Sequence, residues 1–561
     1  MCTDLEVEPS MGKHARPRQF QTPREDGGKL VAPPASAAAE LIAGNRQRLA
    51  ACDYDVHGQT LAELASEARG QLLDEALVYT RGYCDASIPQ SSLGDPKTMP
   101  SLILAGHQPE LFHPGVWLKN FTLDAVAREN GAVAVNLLVD SDTMKSSSLR
   151  VPTGTVGQPM VEAVLFDQPT TAMPFEERRL VDRDLFETFA VRVVQKIGSF
   201  APSPLVKDFW PDVVRRSRDT DRLGDCLAQA RHIWERRWGT ATLEIPQSRV
   251  CSLPAFNRFA AHLLAHLPRL WDVYNAALFE YRRENRVRSH AHPVPELAAE
   301  GGWLEAPFWV WRADDPVRRR LFVGSRDDRI VLADRAGWEQ SLDLSADAGP
   351  DRATEQLHQL ALAGVRLRTR ALITTMLARV LLGDLFLHGI GGAKYDQMTD
   401  MLVERFFGLQ PPDYMVVSGT LRLPIEYPRG AASELCRARH LLRELTYQPE
   451  RFIDAAGQPA RCERCSGSTA QGESGEPHRS LEVKRHWIAT PKTPDNARLR
   501  HKAISAANRA LQPWVADRRE KLRQEIEQLD RQARAEAILS SREYSFCLYP
   551  ETLLRDFLAA P

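Results

Sequence analysis

The sequence predicts an α/β fold built around a parallel sheet, with helical insertions and a helical C-terminal region. Residues 102–105 form an apolar strand that runs through a Gly/His/Pro turn into a helix over about 116–130, and residues 132–139 form a second, almost wholly apolar strand. Strands buried on both faces of a parallel sheet have this continuous apolar character. Residues 385–396 repeat the pattern of strand, turn and helix. The chain therefore contains two junctions at which a ligand-binding edge is expected.

We divide the chain into four regions. Residues 1–35 lack apolar periodicity and are predicted to be a flexible N-terminal tail, whereas residues 36–95 are predicted to be helical. Residues 96–425 form the predicted α/β core, with connecting insertions at about 150–300. Residues 426–561 are predicted to be helical around a loop at 454–480. Within them a short heptad-like stripe is expected to pack against another helix or a second subunit; it consists of Leu522, Ile526, Leu529 and Ala533.

The composition argues against several classes of function. Lys and Arg total 72 against 73 Asp and Glu, so the charge indicates neither a nucleic-acid partner nor an anionic membrane surface. No apolar run approaches the roughly 18 residues of a membrane span, and the N-terminus lacks a secretory signal pattern. We therefore expect a cytoplasmic protein that binds small molecules. The nine cysteines fit reduced thiols better than a disulfide framework.

The turn after the first strand carries the first candidate site. His107 and His113 flank this turn, and Lys119 follows one turn into the helix. Imidazole can donate or accept a proton near neutral pH, and helix N-terminal amides favour a carboxylate or phosphate beside it. We predict catalytic roles for His107 and His113 and binding roles for Gly106, Gln108 and Lys119. The alternative is that each histidine merely caps the turn.

Two acidic residues follow the second strand, at the adjacent edge of the predicted sheet. They are Asp140 and Asp142, and we predict that they are catalytic; carboxylates there could bind an amine, ribose hydroxyls or a metal. Solvated loop residues are the alternative interpretation.

The second junction is rich in glycine. The backbone of Gly391 and Gly392 can approach a ligand closely, and His388, Lys394 and Tyr395 accompany it. We predict that these five residues bind substrate or nucleotide; the alternative is a tight turn with a packed histidine. The pattern is neither a dinucleotide-binding GxGxxG motif nor a P-loop.

Three arginines alternate along a predicted strand at 365–370. If Arg366, Arg368 and Arg370 point the same way, they can bind an anionic substrate, and we predict this role for Arg368. An exposed strand face is the alternative.

Four residues of the C-terminal region suggest a structural zinc site. Cys462 and Cys465 have zinc-knuckle spacing, and Cys436 and His440 would lie on one face of a helix. His478 and His486 are rival ligands.

In their order along the chain, these motifs resemble the BshC family, the cysteine-adding enzymes of bacillithiol biosynthesis. The resemblance rests on residues 106–119, the strand ending at Asp140 and Asp142, residues 365–370 and the turn 389–395, and it covers about 95–425. It implies a Rossmann-like core with inserted segments and a C-terminal coiled-coil element used in dimerisation. The chain differs from the family pattern at His107, at Lys394 and in lacking a histidine between the two acidic residues.

The resemblance implies a ligase-like reaction that joins cysteine through an amide to the amine of a glucosaminyl malate. A free carboxylate is a poor electrophile, so ATP is an expected co-substrate. In this hypothesis His107 and the helix amides beyond His113 stabilise charge on the activated acyl group, and Asp140 or Asp142 orients or deprotonates the amine. Two alternatives stay open: a nucleotidyltransferase or ligase acting on another small acid, and a non-catalytic nucleotide- or sugar-binding protein. We expect a homodimer.

Overall fold

The computed structural model describes residues 20–88, 99–287, 294–326, 329–343, 350–453 and 476–559. The chain divides into two compact units, which are described separately. The first comprises Met1–Val151, Ala163–Leu423 and Arg542–Pro561, and the second comprises Pro152–Glu162 and Pro424–Ser541.

The elements of the described residues are named in chain order. The strands are β1 (Lys29–Ala32), β2 (Asp55–Val56), β3 (Gln59–Thr60), β4 (Leu102–His107), β5 (Val133–Leu138), β6 (Ser148–Thr155), β7 (Gln158–Leu165), β8 (Leu243–Pro246), β9 (Ala299–Glu300), β10 (Trp303–Arg312), β11 (Asp315–Arg326), β12 (Arg329–Ala333), β13 (Glu339–Leu342), β14 (Val365–Thr369), β15 (Leu385–His388) and β16 (Tyr414–Gly419). The helices are α1 (Ala38–Ala50), α2 (Leu61–Arg81), α3 (Pro114–Glu129), α4 (Arg183–Glu187), α5 (Phe189–Ile197), α6 (Val206–Arg216), α7 (Leu223–Arg237), α8 (Gln247–Val250), α9 (Pro254–Ala265), α10 (Leu267–Glu284), α11 (Pro350–Leu362), α12 (Ala371–Leu377), α13 (Ile390–Ala393), α14 (Asp396–Phe407), α15 (Ala431–Tyr447), α16 (Glu476–Ala489), α17 (Ala497–Leu511), α18 (Ala516–Leu539) and α19 (Glu551–Leu558).

The central sheet of the first unit has the order β1-β16-β15-β4-β5-β8. The strands from β16 to β8 run parallel to one another, and β1 pairs with β16 as an antiparallel edge strand. Every residue of β5 is buried, as predicted for a strand covered on both faces. The predicted α/β class with a mostly parallel sheet is therefore confirmed.

The β4–α3–β5 unit follows the sequence pattern closely. His113 caps the N-terminus of α3, Pro114 occupies its first position, and Gly131 follows its end with a positive φ of 57°. A proline is favoured at the first helical position because its missing N–H has no partner there. This local chemistry fixes where the chain turns from β4 into the helix.

Two short strands of the central sheet lie in regions predicted to be a flexible tail and a connecting insertion. Of the predicted flexible tail, residues 1–19 lie outside the described residues, but Lys29–Ala32 form β1 and pair with β16. Likewise β8, Leu243–Pro246, lies within the predicted insertion and yet pairs with β5 in the central sheet. Strands of four residues carry little periodicity of their own, and neither of these two is followed by a glycine-rich turn such as the one that marks the equally short β15.

A second sheet in the first unit is antiparallel. Its order is β13-β12-β11-β10-β14, and β9 also pairs with β10. Strands β11 and β12 form a hairpin, and the predicted strand near 365–370 corresponds to β14. Side chains from this sheet contribute to the candidate site below.

The second unit is largely helical. Helices α15 and α18 run antiparallel, since Arg439 pairs with Asp530 at 2.9 Å and the Gly430 amide donates to Glu536 at 2.8 Å. The predicted stripe on α18 packs into the apolar core of this unit, which α15 also lines; the shared core residues include Leu435, Leu445, Leu522 and Leu529. The stripe thus contacts another helix of the same chain, and the dimer stays a prediction.

The last part of the predicted C-terminal region is not in the second unit. Residues from Arg542 onwards are part of the first unit, where α19 contacts α3. Within the described residues, no helix combines the length and the apolar character that a membrane span requires.

Candidate active site

A cavity of about 680 Å³ lies at the carboxyl-terminal edge of the central sheet. This volume is within the range of small-molecule sites, and ligands of open α/β sheets bind at this edge. The central sheet and the antiparallel sheet of β9–β14 both contribute to the walls. The polar and glycine residues that line it include Gly106, His107, Gln108, His113, Lys119, Ser141, Asp142, Gln247, Arg318, Thr369, Arg370, His388, Gly391, Gly392, Ser418 and Arg542.

His107 and Lys119 form an electropositive wall at the end of β4. Lys119 is 3% exposed, and its ammonium donates to the carbonyl of Gly106. Burial, and to a smaller extent the charge of Arg231, lowers the pKa of Lys119 to about 8. Burial and the neighbouring Lys119 charge lower the pKa of His107 to about 3. At neutral pH His107 is therefore a neutral hydrogen-bonding group, and its Nδ1 lies 3.2 Å from the Gln108 carbonyl oxygen.

His113 lines the cavity and also holds the start of α3. Its Nδ1 accepts a hydrogen bond from the Gly115 amide at 3.1 Å, while its Nε2 lies 3.7 Å from Glu543. Burial lowers the pKa of His113, although the Glu543 charge opposes the shift. Both ring nitrogens thus have contacts within the protein, so the capping alternative describes His113 better than a catalytic role.

Gly115 allows the helix to approach the sheet. A Cβ at this position would lie 2.0 Å from the carbonyl oxygen of Gly419, at the end of β16. Because that neighbour is backbone, a side chain at position 115 would push α3 away from β16.

Asp142 lines the cavity as predicted, but it is held by neighbours. Its carboxylate accepts hydrogen bonds from Gln108 at 3.0 Å and from Arg318 at 2.8 Å. Burial alone would raise the pKa of Asp142, but these two contacts outweigh burial and lower it. A carboxylate with a lowered pKa is a weak base, so Asp142 is better suited to orienting Gln108 and Arg318.

Asp140 is a correction to the sequence prediction. Its carboxylate does not line the cavity; it accepts hydrogen bonds from the Ser248 amide at 2.9 Å and from the Ser248 hydroxyl at 2.5 Å. Burial, followed by the charge of Glu176, raises the pKa of Asp140 to about 7. The residue therefore fastens the start of α8, and its predicted catalytic role stays a prediction that its position outside this cavity does not support.

The glycine-rich turn after β15 is part of the cavity. His388, Gly391 and Gly392 line it, as predicted. Lys394 is exposed outside the lining, and Tyr395 packs against Tyr281 with ring centroids 6.0 Å apart. The predicted binding roles of Lys394 and Tyr395 are therefore not supported by their positions.

The three alternating arginines have acidic partners. Arg370 lines the cavity and donates to Glu305 at 2.5 Å, and Arg366 lies 3.4 Å from Glu177. Arg368 is 4% exposed, forms a two-point ion pair with Glu176 at 2.8 Å and does not line the cavity. The position of Arg368 and its ion pair with Glu176 do not support the predicted role in binding substrate, which stays a prediction.

Sequence reasoning missed several groups that matter to the site. Arg318 comes from β11, and both Arg318 and Arg370 lie over the Trp309 ring, 4.4 and 4.9 Å from its centroid. Asp396, behind the cavity, contacts His388. In the sequence, the one sign of this contact is that Asp396 stands eight residues after His388, at the start of a helix. Nothing in the local sequence links Arg318 to the cavity.

The predicted zinc ligands fall only partly within the described residues. Cys436 is exposed on α15, and His440 Nε2 lies 3.6 Å from Glu444. Cys462 and Cys465 lie outside the described residues. Within the part of the chain that the structure describes, no group of three or more potential ligands could hold a metal ion. The zinc site stays a prediction.

No model of a protein family matches the chain, and no curated protein matches it either. The geometry of the cavity is the basis on which a function can be assigned.

Proposed function

We propose that the chain is a small-molecule ligase that joins cysteine to the amine of a glucosaminyl malate-like acceptor, as the resemblance to the BshC family implies, on a Rossmann-like core. One observation carries the proposal. Segments on which the resemblance rests, the turn at 106–119, Asp142 and the turn at 389–392, are far apart in sequence and line the same cavity. Their convergence supports a shared site for two substrates.

The charge distribution supports an anionic ligand. Arg318 and Arg370 are paired with Asp142 and Glu305, whereas the buried ammonium of Lys119 contacts a carbonyl oxygen. A buried charge is costly unless an opposite charge compensates it. A carboxylate or phosphate of a substrate would supply that compensation beside Lys119.

Amide formation from a free carboxylate requires activation, and we propose ATP as the co-substrate that supplies it. Lys119 would bind a phosphate group. The open backbone at Gly391, where even an added Cβ would have no neighbouring atom within 4 Å, leaves room for one. His107, neutral at physiological pH, would donate or accept one hydrogen bond with the acyl group. Asp142 would keep Gln108 and Arg318 in place.

The experiment combines the purified protein with cysteine, glucosaminyl malate and ATP. We expect a cysteinyl amide product by mass spectrometry and release of pyrophosphate or ADP in equal amount. Lys119→Met should raise the KM for the anionic substrate roughly tenfold to a hundredfold, because hydrogen bonds to charged groups contribute about 1.5–3 kcal/mol. Lys492→Met, at an exposed lysine of the second unit, is the matched control.

Three outcomes separate the functions. Thiol profiles of cells with and without the gene should differ by a cysteinyl amino-sugar thiol, and identical profiles would overturn the proposal. Pyrophosphate release with a different small acid would identify a nucleotidyltransferase. Ligand binding without any product would identify a binding protein.

A further inference from the structure

His388 and Asp396 form a fixed pair at one wall of the cavity. His388 ends β15 and Asp396 begins α14, and Nε2 of the histidine contacts Oδ2 of the carboxylate. The imidazole also packs against Phe386 and Tyr414, with ring centroids 4.5 and 5.1 Å away. Only 5% of His388 and 1% of Asp396 is exposed. The ring is therefore held in one orientation, with Nδ1 as the nitrogen that does not face the carboxylate.

Charged groups surround the carboxylate that contacts His388. Arg379 lies 3.3 Å from Asp396 and donates to Asp400 at 2.6 Å. With both carboxylates ionised, two negative charges face one guanidinium. Burial would raise the pKa of Asp396, but the charges of His388 and Arg379 outweigh it and lower the pKa. Asp396 thus remains an anion that can stabilise an imidazolium.

Gly392 leaves Nδ1 accessible. A Cβ at position 392 would lie 2.9 Å from Nδ1 of His388. The φ of Gly392 is not in the left-handed region, so the backbone itself would tolerate alanine. Glycine at position 392 therefore leaves space beside the imidazole of His388.

Among the described residues, two other histidines line the cavity, and they lack this combination. His107 lies beside the positive charge of Lys119, and His113 uses Nδ1 to cap α3. Asp140 faces Ser248, and Asp142 is bound by Gln108 and Arg318. Among these residues, only His388 lines the cavity with a buried carboxylate at Nε2 and with a glycine, rather than a capping amide, beside Nδ1.

We infer that Nδ1 of His388 is the general base of the cavity and that Asp396 is its positioning residue, an inference that rests on the proposed ligase function. The amine nitrogen attacks the activated acyl carbon, and the C–N bond forms. The proton that this nitrogen loses passes to Nδ1, while the bond to the phosphate-containing leaving group breaks and the leaving group keeps the electron pair. The imidazolium, stabilised by Asp396, then releases the proton to solvent.

The test separates the base from the ligase reaction by two readouts. The first is modification of His388 by diethyl pyrocarbonate, which reacts with neutral imidazole, followed across pH by peptide mass spectrometry because the chain has 15 histidines. Asp396→Asn should shift the midpoint for His388 to lower pH, since the carboxylate that stabilises the charged ring is gone. Gly392→Ala should slow modification at His388, whereas the matched helical change Gly44→Ala should not.

The second readout is turnover. His388→Gln should lower kcat by roughly 100-fold or more, as expected for loss of a general base, and Asp396→Asn should shift the acid limb of the kcat profile together with the modification midpoint. An unchanged midpoint in Asp396→Asn, or full turnover in His388→Gln, would overturn the inference. If no ligation product forms but the midpoint shifts, the ligase function fails while the His388–Asp396 pair is supported as a proton acceptor.

Discussion

His107 and His388 line the same cavity in opposite electrostatic settings. In the β4 wall, formed by Gly106, His107 and Lys119, the imidazole is buried beside a cation, which lowers its pKa to about 3. In the β15 wall, formed by His388 and Gly392 with Asp396 behind them, the imidazole contacts a carboxylate. The comparison shows that the residue type alone does not define the role of a histidine. Burial and the groups packed around each ring define the part that the histidine can play.

The walls also differ in how they use glycine. Gly115, at the start of α3, is close to the backbone of β16, whereas Gly392 is close to the His388 ring. Backbone cannot move without disturbing the sheet, while a side chain can adjust. Gly115 therefore allows α3 to pack against β16, and Gly392 leaves space beside Nδ1 of His388.

The largest effect that we expect is on stability at Gly115. Gly115→Ala should lower the free energy of unfolding by about 3 kcal/mol or more, because its Cβ would overlap a carbonyl oxygen. Gly392→Ala should cost about 1 kcal/mol, near the low end of overpacking. Urea denaturation of both variants measures the difference. Equal losses would mean that the two glycines serve the same purpose.

The second-largest effect that we expect concerns the charge of Lys119 in the β4 wall. Lys119→Met should stabilise the protein at pH 7 by up to about 3 kcal/mol, since each unit of pKa shift corresponds to about 1.4 kcal/mol. The pKa of Lys119 is about 8 in the folded protein, against 10.5 for an unperturbed lysine, so the unfolded chain binds more protons between these pH values. The wild type therefore gains stability as the pH rises from about 8 to 10.5, and the advantage of the variant disappears there.

Thermal unfolding of Lys119→Met and of Lys492→Met across pH 6–10.5 provides the measurement. The exposed Lys492 should show no such dependence. A Lys119→Met variant that is less stable than the wild type at pH 7 would contradict a costly buried charge.

The features that the sequence predicts are local. The turn from β4 into α3 follows from a histidine cap, a proline at the first helical position and an apolar strand, all within twenty residues. The β15 turn has the same local origin. Such patterns depend on backbone preferences that neighbouring residues decide. They indicate where a cavity lies but not how its groups are paired.

The two acidic residues after β5 show where local reasoning fails. Asp140 and Asp142 are two residues apart, so their side chains would point to the same side if the strand continued. Instead, the Asp140 amide donates a hydrogen bond to the Leu138 carbonyl, and the chain turns there. The alternation of a strand no longer applies there, so Asp140 reaches Ser248 while Asp142 reaches Gln108. Partners from distant segments complete these contacts, and no local pattern specifies them.

Local reasoning about the arginines of β14 fails for a related reason. Their alternation is visible in the sequence, but Glu176 and Glu305, which pair with Arg368 and Arg370, come from separate parts of the chain. Counting charges along a strand cannot show which of them a tertiary partner neutralises.

The smallest effect that we expect concerns His107 itself. His107→Gln replaces one neutral hydrogen-bonding group with another, so kcat/KM should fall by about threefold, within the 0.5–1.5 kcal/mol of a neutral hydrogen bond. The pKa of His107 is about 3, which leaves its charge unchanged between pH 5 and pH 9, and the pH profile of the variant should match that of the wild type. Steady-state kinetics over this range is the measurement. Loss of an acid limb between pH 5 and pH 8 would show that His107 carries a proton in the reaction, and the β4 and β15 walls would then share the acid–base chemistry that we assign to His388.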